Sequence, residues 1–93
     1  MQNRQPKELD YVPVDDPAQI LSTFDLGAAT SLISAGYELV SMDRSNPRKV
    51  RFAFRRESGI EETLDAYWSD ELDIRARTYF DNLKMLKNRI YSE

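Results

Sequence analysis

The sequence predicts a small α+β domain in which an antiparallel sheet, a β-hairpin with a possible short N-terminal strand, packs against three helices. Three observations carry this. Residues 49–56 alternate strictly, with Val50, Phe52 and Phe54 on one face and Arg51, Ala53 and Arg55 on the other, the period of a half-buried strand. Two later segments repeat their apolar residues at helical spacing. Between them and the start of the chain, an alanine-rich stretch ends at Gly36, the residue suited to a helix C-terminus.

The elements follow in order. Residues 1–19 carry three of the four prolines (Pro6, Pro13, Pro17) and little apolar pattern, so they predict an extended or disordered arm. Only Leu9, Tyr11, Val12 and Val14 could lay it onto a surface as a strand-like segment. Residues 20–93 form the single domain. Residues 20–24 read as a short strand or extended lead-in. Thr23 or Asp25 then caps a helix reaching Ala35, burying Leu26, Ala29, Leu32 and Ile33, with Gly27, Ala28 and Ala35 small enough for close approach to a sheet. Strands over 37–44 and 49–56 meet across Ser45, Asn46, Pro47 and Arg48. Ser58 and Glu61 have the spacing of a capping box for a helix using Ile60, Leu64, Tyr67 and Trp68 and ending near Ser69. A last helix over 74–91 is expected to bury Ala76, Tyr79, Phe80, Leu83, Leu86 and Ile90. Its outer face holds Arg77, Asp81, Lys84 and Asn88, where Asp81 can pair with Arg77 and Lys84.

The chain has 93 residues, 41% hydrophobic and 31% charged, which suits one modest core rather than two domains or a disordered chain. It contains no cysteine and no histidine. Disulfides, thiolate nucleophiles, imidazole bases and ordinary zinc or haem sites are therefore excluded. No apolar run approaches a membrane span, and the polar N-terminus lacks a signal-peptide core; the expected location is the cytoplasm of a host cell.

Charge is segregated. Residues 8–43 hold seven acids (Glu8, Asp10, Asp15, Asp16, Asp25, Glu38, Asp43) and no base, and residues 57–73 again hold seven acids and no base. Between them lie six bases without an acid: Arg44, Arg48, Lys49, Arg51, Arg55 and Arg56. The hairpin is a basic island in a protein of net charge -3. An arginine-rich ribbon can read phosphates or a groove. Alternatively, its cations pair with Glu38 or with the acids of 57–73 and protect an edge strand. The negative overall field opposes nonspecific nucleic-acid affinity.

Carboxylates are the remaining catalytic material. Asp15 with Asp16, then Glu61, Glu62 and Asp65, then Asp70, Glu71 and Asp73 are clustered, yet none sits in an oxygen-rich loop of the kind a divalent metal uses. The three glycines form no phosphate loop, and no serine has a histidine or Ser-x-x-Lys base. No catalytic residue, metal site or cofactor is expected. Met85 falls about 200° from Leu83 around the last helix, off its apolar stripe. With Trp68 it marks a candidate partner surface. The candidate partner-binding residues are Arg48, Lys49, Arg51, Arg55, Arg56, Trp68 and Met85.

Several segments carry a family resemblance: TFDL from Thr23, Gly36-Tyr37-Glu38-Leu39, RKVRFAF from Arg48, the pair Tyr67-Trp68, and ARTYFDNLKMLKNRIY from Ala76. In these the chain resembles, over residues 22–91, a small family of uncharacterised proteins found largely in bacteriophages and prophages, a domain of unknown function. The resemblance implies a phage or mobile-element origin and the order helix, hairpin, helix, helix. It implies no activity and no functional residues. The expected function is that of a non-enzymatic binding protein acting through protein–protein contacts, in a phage assembly or against a host or defence machine. The alternative is an accessory nucleic-acid binder using the basic hairpin. Homo-oligomerisation is compatible with both, since a small sheet leaves open edges.

Overall fold

The structure is a computed structural model that describes residues 18–46 and 48–92. Six elements follow one another: β1 (Ile20–Thr23), α1 (Leu26–Ser34), β2 (Leu39–Asp43), β3 (Arg51–Arg55), α2 (Ile60–Trp68) and α3 (Ala76–Tyr91). The arm expected over residues 1–19, including Leu9, Tyr11, Val12 and Val14, lies outside the described residues except for Ala18 and Gln19.

The strands form one antiparallel sheet in the order β1-β3-β2. The most regular alternation in the sequence thus belongs to the central strand, which has neighbours on both sides. Leu21 pairs with Phe54 and Thr23 with Phe52 on one side; Leu39 pairs with Phe54 and Met42 with Phe52 on the other. Directly opposed residues share a face, so these rows form the inner surface. The register shifts between Leu39 and Ser41, making Val40 the extra residue of a bulge on an edge strand, a feature that twists an edge away from foreign pairing.

Phe52, Phe54, Leu21 and Val50 share one core with Ala29 and Leu32 of α1, Ile60 of α2 and Leu86 of α3. The connection from β2 to β3 is longer than the four residues expected. Its turns are made by side chains that stand in for backbone carbonyls: Asp43 Oδ1 accepts from Ser45 N at 2.9 Å and Asn46 Oδ1 from Arg48 N at 3.0 Å. Such short polar residues compete with the sheet ladder and shorten both strands.

Helix α1 begins as the sequence predicts. Asp25 Oδ1 accepts from Ala28 N at 2.8 Å. Its end is a Schellman motif, with Gly36 N bonded to Ile33 O and Tyr37 N to Leu32 O, and Gly36 at φ 106°. That φ is open to glycine and costly for other residues.

Three local expectations need correction. Of the small residues expected to approach the sheet, Gly27 and Ala35 lie towards α2 and α3 instead, as does the neighbouring Ser34. A Cβ on Gly27 would overlap the Tyr67 hydroxyl, and Ser34 Oγ accepts from Asn82 Nδ2 at 3.0 Å. The Ser58–Glu61 capping box does not form. Gly59, at φ 88°, is the N-cap of α2 without any side-chain cap, and Glu61 pairs with Arg56 instead. A charged partner outcompetes a reach back to one backbone N–H.

Finally, α3 is rotated about its axis relative to the predicted stripe. Leu86 is fully buried and Tyr79, Leu83 and Ile90 half-buried, but Ala76 and Phe80 are exposed. Met85 packs against the core. Asn82, bonded to Ser34, and Met85 thus lie on the inward side of the helix and Phe80 on the outward side.

Candidate interaction surface

The basic hairpin was the sequence's most conspicuous charge feature, and the fold engages most of its cations within the chain. Arg44 lies beyond the end of β2, where its Nη1 donates to Arg89 O at 2.6 Å, Ser92 O at 2.9 Å and Ile90 O at 3.4 Å. These are the orphan carbonyls of the α3 C-terminus, the negative end of its dipole, and a guanidinium there satisfies both geometry and charge. Arg55 Nε lies 3.7 Å from Glu38 Oε1. Arg56 pairs through Nη1 with Glu61 and donates through Nη2 to Ile20 O at 3.2 Å, so one side chain ties β1 to the start of α2. Lys49 Nζ sits 4.7 Å from the centroid of the exposed Phe24 ring, a cation–π contact.

Arg51 opposes Asp43 across the β2–β3 ladder. The Asp43 carboxyl is held below the usual carboxylate range chiefly by the Ser45 backbone N–H and then by the Ser45 side chain, against desolvation, with the Arg51 charge the weakest contribution. Arg48 is exposed in the connection between the strands. The seven predicted partner-binding residues are therefore not one surface. Five belong to a hairpin whose charge is largely matched internally, Trp68 stands out at the end of α2, and Met85 is half-buried against the core.

The helical side is different. Trp68 is 57% exposed, Phe80 55% and Tyr91 79%. Tyr67 meets Trp68 edge-to-face, with centroids 5.0 Å apart. Lys84 lies over Phe80 at 5.4 Å rather than pairing with Asp81, which faces Arg77 at 3.6 Å. Tyr67 itself is turned towards the N-terminus of α1. Burial pushes its hydroxyl pKa up, as do the nearby Asp25 carboxylate, Tyr79 and a hydrogen bond with Asp25.

Where α2 ends, Asp70 takes the left-handed conformation at φ 61°, with Asp70 N bonded to Tyr67 O and Glu71 N to Ala66 O. This turns the chain across α1 and leaves a cleft of about 330 Å³ lined by Ser31, Tyr67, Asp70, Leu72, Ile74 and Tyr79, among others. Sequence reasoning missed Ser31, Leu72 and Ile74 as a group, because they come together only through the packing of α1 against α3. The available signal was the acid-only block 57–73 containing the Tyr67-Trp68 pair.

Among the described residues no three acids gather as a metal site would require, and no helix is long and apolar enough to cross a membrane. The fold and surface define a small α+β domain, three helices on a three-stranded antiparallel sheet, with surface ion pairs, exposed aromatics and a shallow cleft beside Asp70. The chain belongs to the family described as Domain of unknown function (DUF5659), whose model matches residues 19–92. Neither the comparison with curated proteins nor that with solved structures gives a match.

Proposed function

We propose that this chain is a non-enzymatic binding protein of phage or prophage origin that works in the host cytoplasm through protein–protein contacts, as part of a phage assembly or against a host or defence machine. The observation that carries this reading is the internal use of the hairpin cations. Arg44, Arg55 and Arg56 serve the α3 C-terminus, Glu38 and Glu61, so a nucleic acid would have to break contacts of the fold to recruit them. The exposed aromatics Trp68 and Phe80 are the residue types that anchor protein interfaces.

Fluorescence anisotropy with labelled duplex and single-stranded oligonucleotides tests the contrast. No binding tighter than about micromolar is expected at physiological salt, the range of nonspecific contacts. In parallel, the tagged chain is purified from its bacterial host. A protein co-eluting in fixed stoichiometry, and lost with Trp68→Ala, is the expected outcome. Nanomolar nucleic-acid affinity that is lost when Arg48, Lys49 and Arg51 are replaced together would overturn the reading in favour of the hairpin.

A further inference from the structure

The serine and threonine side chains of α1, and those of α2 with its C-cap, follow one habit with one exception. Thr30, Ser34, Thr63 and Ser69 each donate to a carbonyl one turn earlier in the chain, at 2.8 to 3.0 Å. Ser31 is only 3% exposed, lines the cleft between α1, α2 and α3, and makes no side-chain hydrogen bond among the described residues. A buried hydroxyl left without a partner costs about 1–3 kcal/mol, so this one is placed to meet something that enters the cleft.

The surroundings state the chemistry of that occupant. Asp70 lies on the lining and the C-terminus of α2, the negative end of its dipole, abuts it. The segment 57–73 that builds this end of the molecule has seven acids and no base. An anion is repelled here and a cation drawn in. Leu72 and Ile74 supply apolar wall for an aliphatic stem, and the aromatic side chains of Tyr67 and Tyr79 line the same cleft. The volume is at the low end for small-molecule sites, right for one side chain. A guanidinium fits better than an ammonium, because it has five donors for the Ser31 hydroxyl and the Asp70 carboxylate and a planar face that stacks on aromatic rings.

We propose that this cleft receives an arginine side chain presented by a partner protein. The inference rests on the protein-binding reading above and gives it a location and a specificity: a partner with an arginine projecting from a basic surface.

The test is ¹H–¹⁵N NMR of the full chain titrated with N-acetyl-arginine amide, and with the neutral isostere N-acetyl-citrulline amide as control. Saturable shifts centred on Ser31, Tyr67, Asp70, Leu72 and Tyr79 are expected with arginine, and markedly weaker ones with citrulline. Asp70→Asn keeps a residue that tolerates the left-handed region and should weaken binding about fivefold, the scale of one partly exposed charge pair. Ser31→Ala should weaken it about two- to threefold without lowering the melting temperature.

Equal shifts with arginine and citrulline, shifts scattered over the surface, or indifference to Asp70→Asn would overturn the proposal. So would shifts of these amides with protein concentration alone that Arg48→Gln abolishes, since they would seat a second copy of the chain there. The host complex separates the two levels. If it survives Asp70→Asn while Trp68→Ala removes it, the arginine site fails and protein binding stands; nanomolar nucleic-acid affinity overturns both.

Discussion

Replacing Gly27 by alanine sets two effects of known sign against each other. Within a helix Gly→Ala ordinarily stabilises by about 0.5–1 kcal/mol, because alanine has less backbone freedom to lose. Here the new Cβ overlaps the Tyr67 hydroxyl oxygen and presses Tyr67 Cζ at 3.2 Å and Asp25 Oδ1 at 3.3 Å. Overpacking costs about 1–3 kcal/mol, and displacing the hydroxyl from Asp25 forfeits a hydrogen bond of about 1 kcal/mol. Gly27→Ala should therefore destabilise by about 1–3 kcal/mol net, the steric cost exceeding the propensity gain. Tyr67→Phe removes the overlapping atom, at its own cost of about 1 kcal/mol. In that background Gly27→Ala should fall to within about 0.5 kcal/mol of neutral, leaving a favourable coupling of about 0.5–3.5 kcal/mol. Urea unfolding followed by far-UV circular dichroism measures all four corners of the cycle, and a change of 1 kcal/mol corresponds to about 4–8 °C in melting temperature for a domain of this size. A Gly27→Ala protein more stable than wild type, or a cost unchanged by Tyr67→Phe, would show that α2 does not approach α1 through this glycine.

Other perturbations test the core, the helix end and the turn. Phe52→Ala, at a fully buried position in the central strand, should cost about 3–5 kcal/mol, much of the stability of a small domain; melting within a few degrees of wild type would contradict the β3 register. Arg44→Met keeps an apolar stem but removes the donor from two carbonyls of α3 and that of its C-cap Ser92. A loss of about 1–2 kcal/mol is expected, with faster amide exchange in the last turn of α3, and unchanged exchange would deny the cap. Asp43 should titrate below its ordinary value of 3.8. Because its folded pKa is depressed, its contribution to stability is present above 3.8 and is lost as pH falls through the folded value. In a ¹³C carboxyl titration Ser45→Ala should raise that pKa part of the way to normal, since the backbone N–H remains, and a wild-type value at or above normal would contradict the geometry.

What could be read in the sequence was whatever depends on near neighbours along the chain. The alternation of Val50, Phe52 and Phe54, the cap at Asp25 and the stop at Gly36 are set within a few residues, and all stand in the structure as expected. The errors lie where a distant group decides. Glu61 leaves the capping box for Arg56, Gly27 makes room for Tyr67 forty residues on rather than for the sheet, and α3 rolls so that Asn82 reaches Ser34. The candidate surface was less legible for the same reason. A run of six bases looks alike whether its partners are phosphates or the chain's own carbonyls. A serine in an alanine-rich helix gives no hint that its hydroxyl will be buried unpaired.

The segregation of charge follows from the topology once these contacts are known. β3 is the middle strand, paired on one side with β2, which Glu38 precedes, and followed in the chain by a helix whose first turn holds Glu61 and Glu62. Its flanking arginines are thus the nearest cations to both. Exposed pairs such as Arg55 with Glu38 contribute at most about 1 kcal/mol each, too little to explain the pattern by stability alone. Their stronger effect is on specificity: Arg56, bound at once to the β1 backbone and to Glu61, fixes how β1 and α2 sit against β3. With the island matched in this way, the acid-only segment 57–73 is left without bases of its own. Its Glu61 is answered by Arg56, while Asp65, Asp70, Glu71 and Asp73 lie on the surface around the end of α2. At that end an approaching molecule finds exposed carboxylates beside the exposed Trp68. That favours a basic protein partner over a phosphate backbone, and it directs mutagenesis to Asp70 and Trp68 ahead of the arginines that first draw the eye.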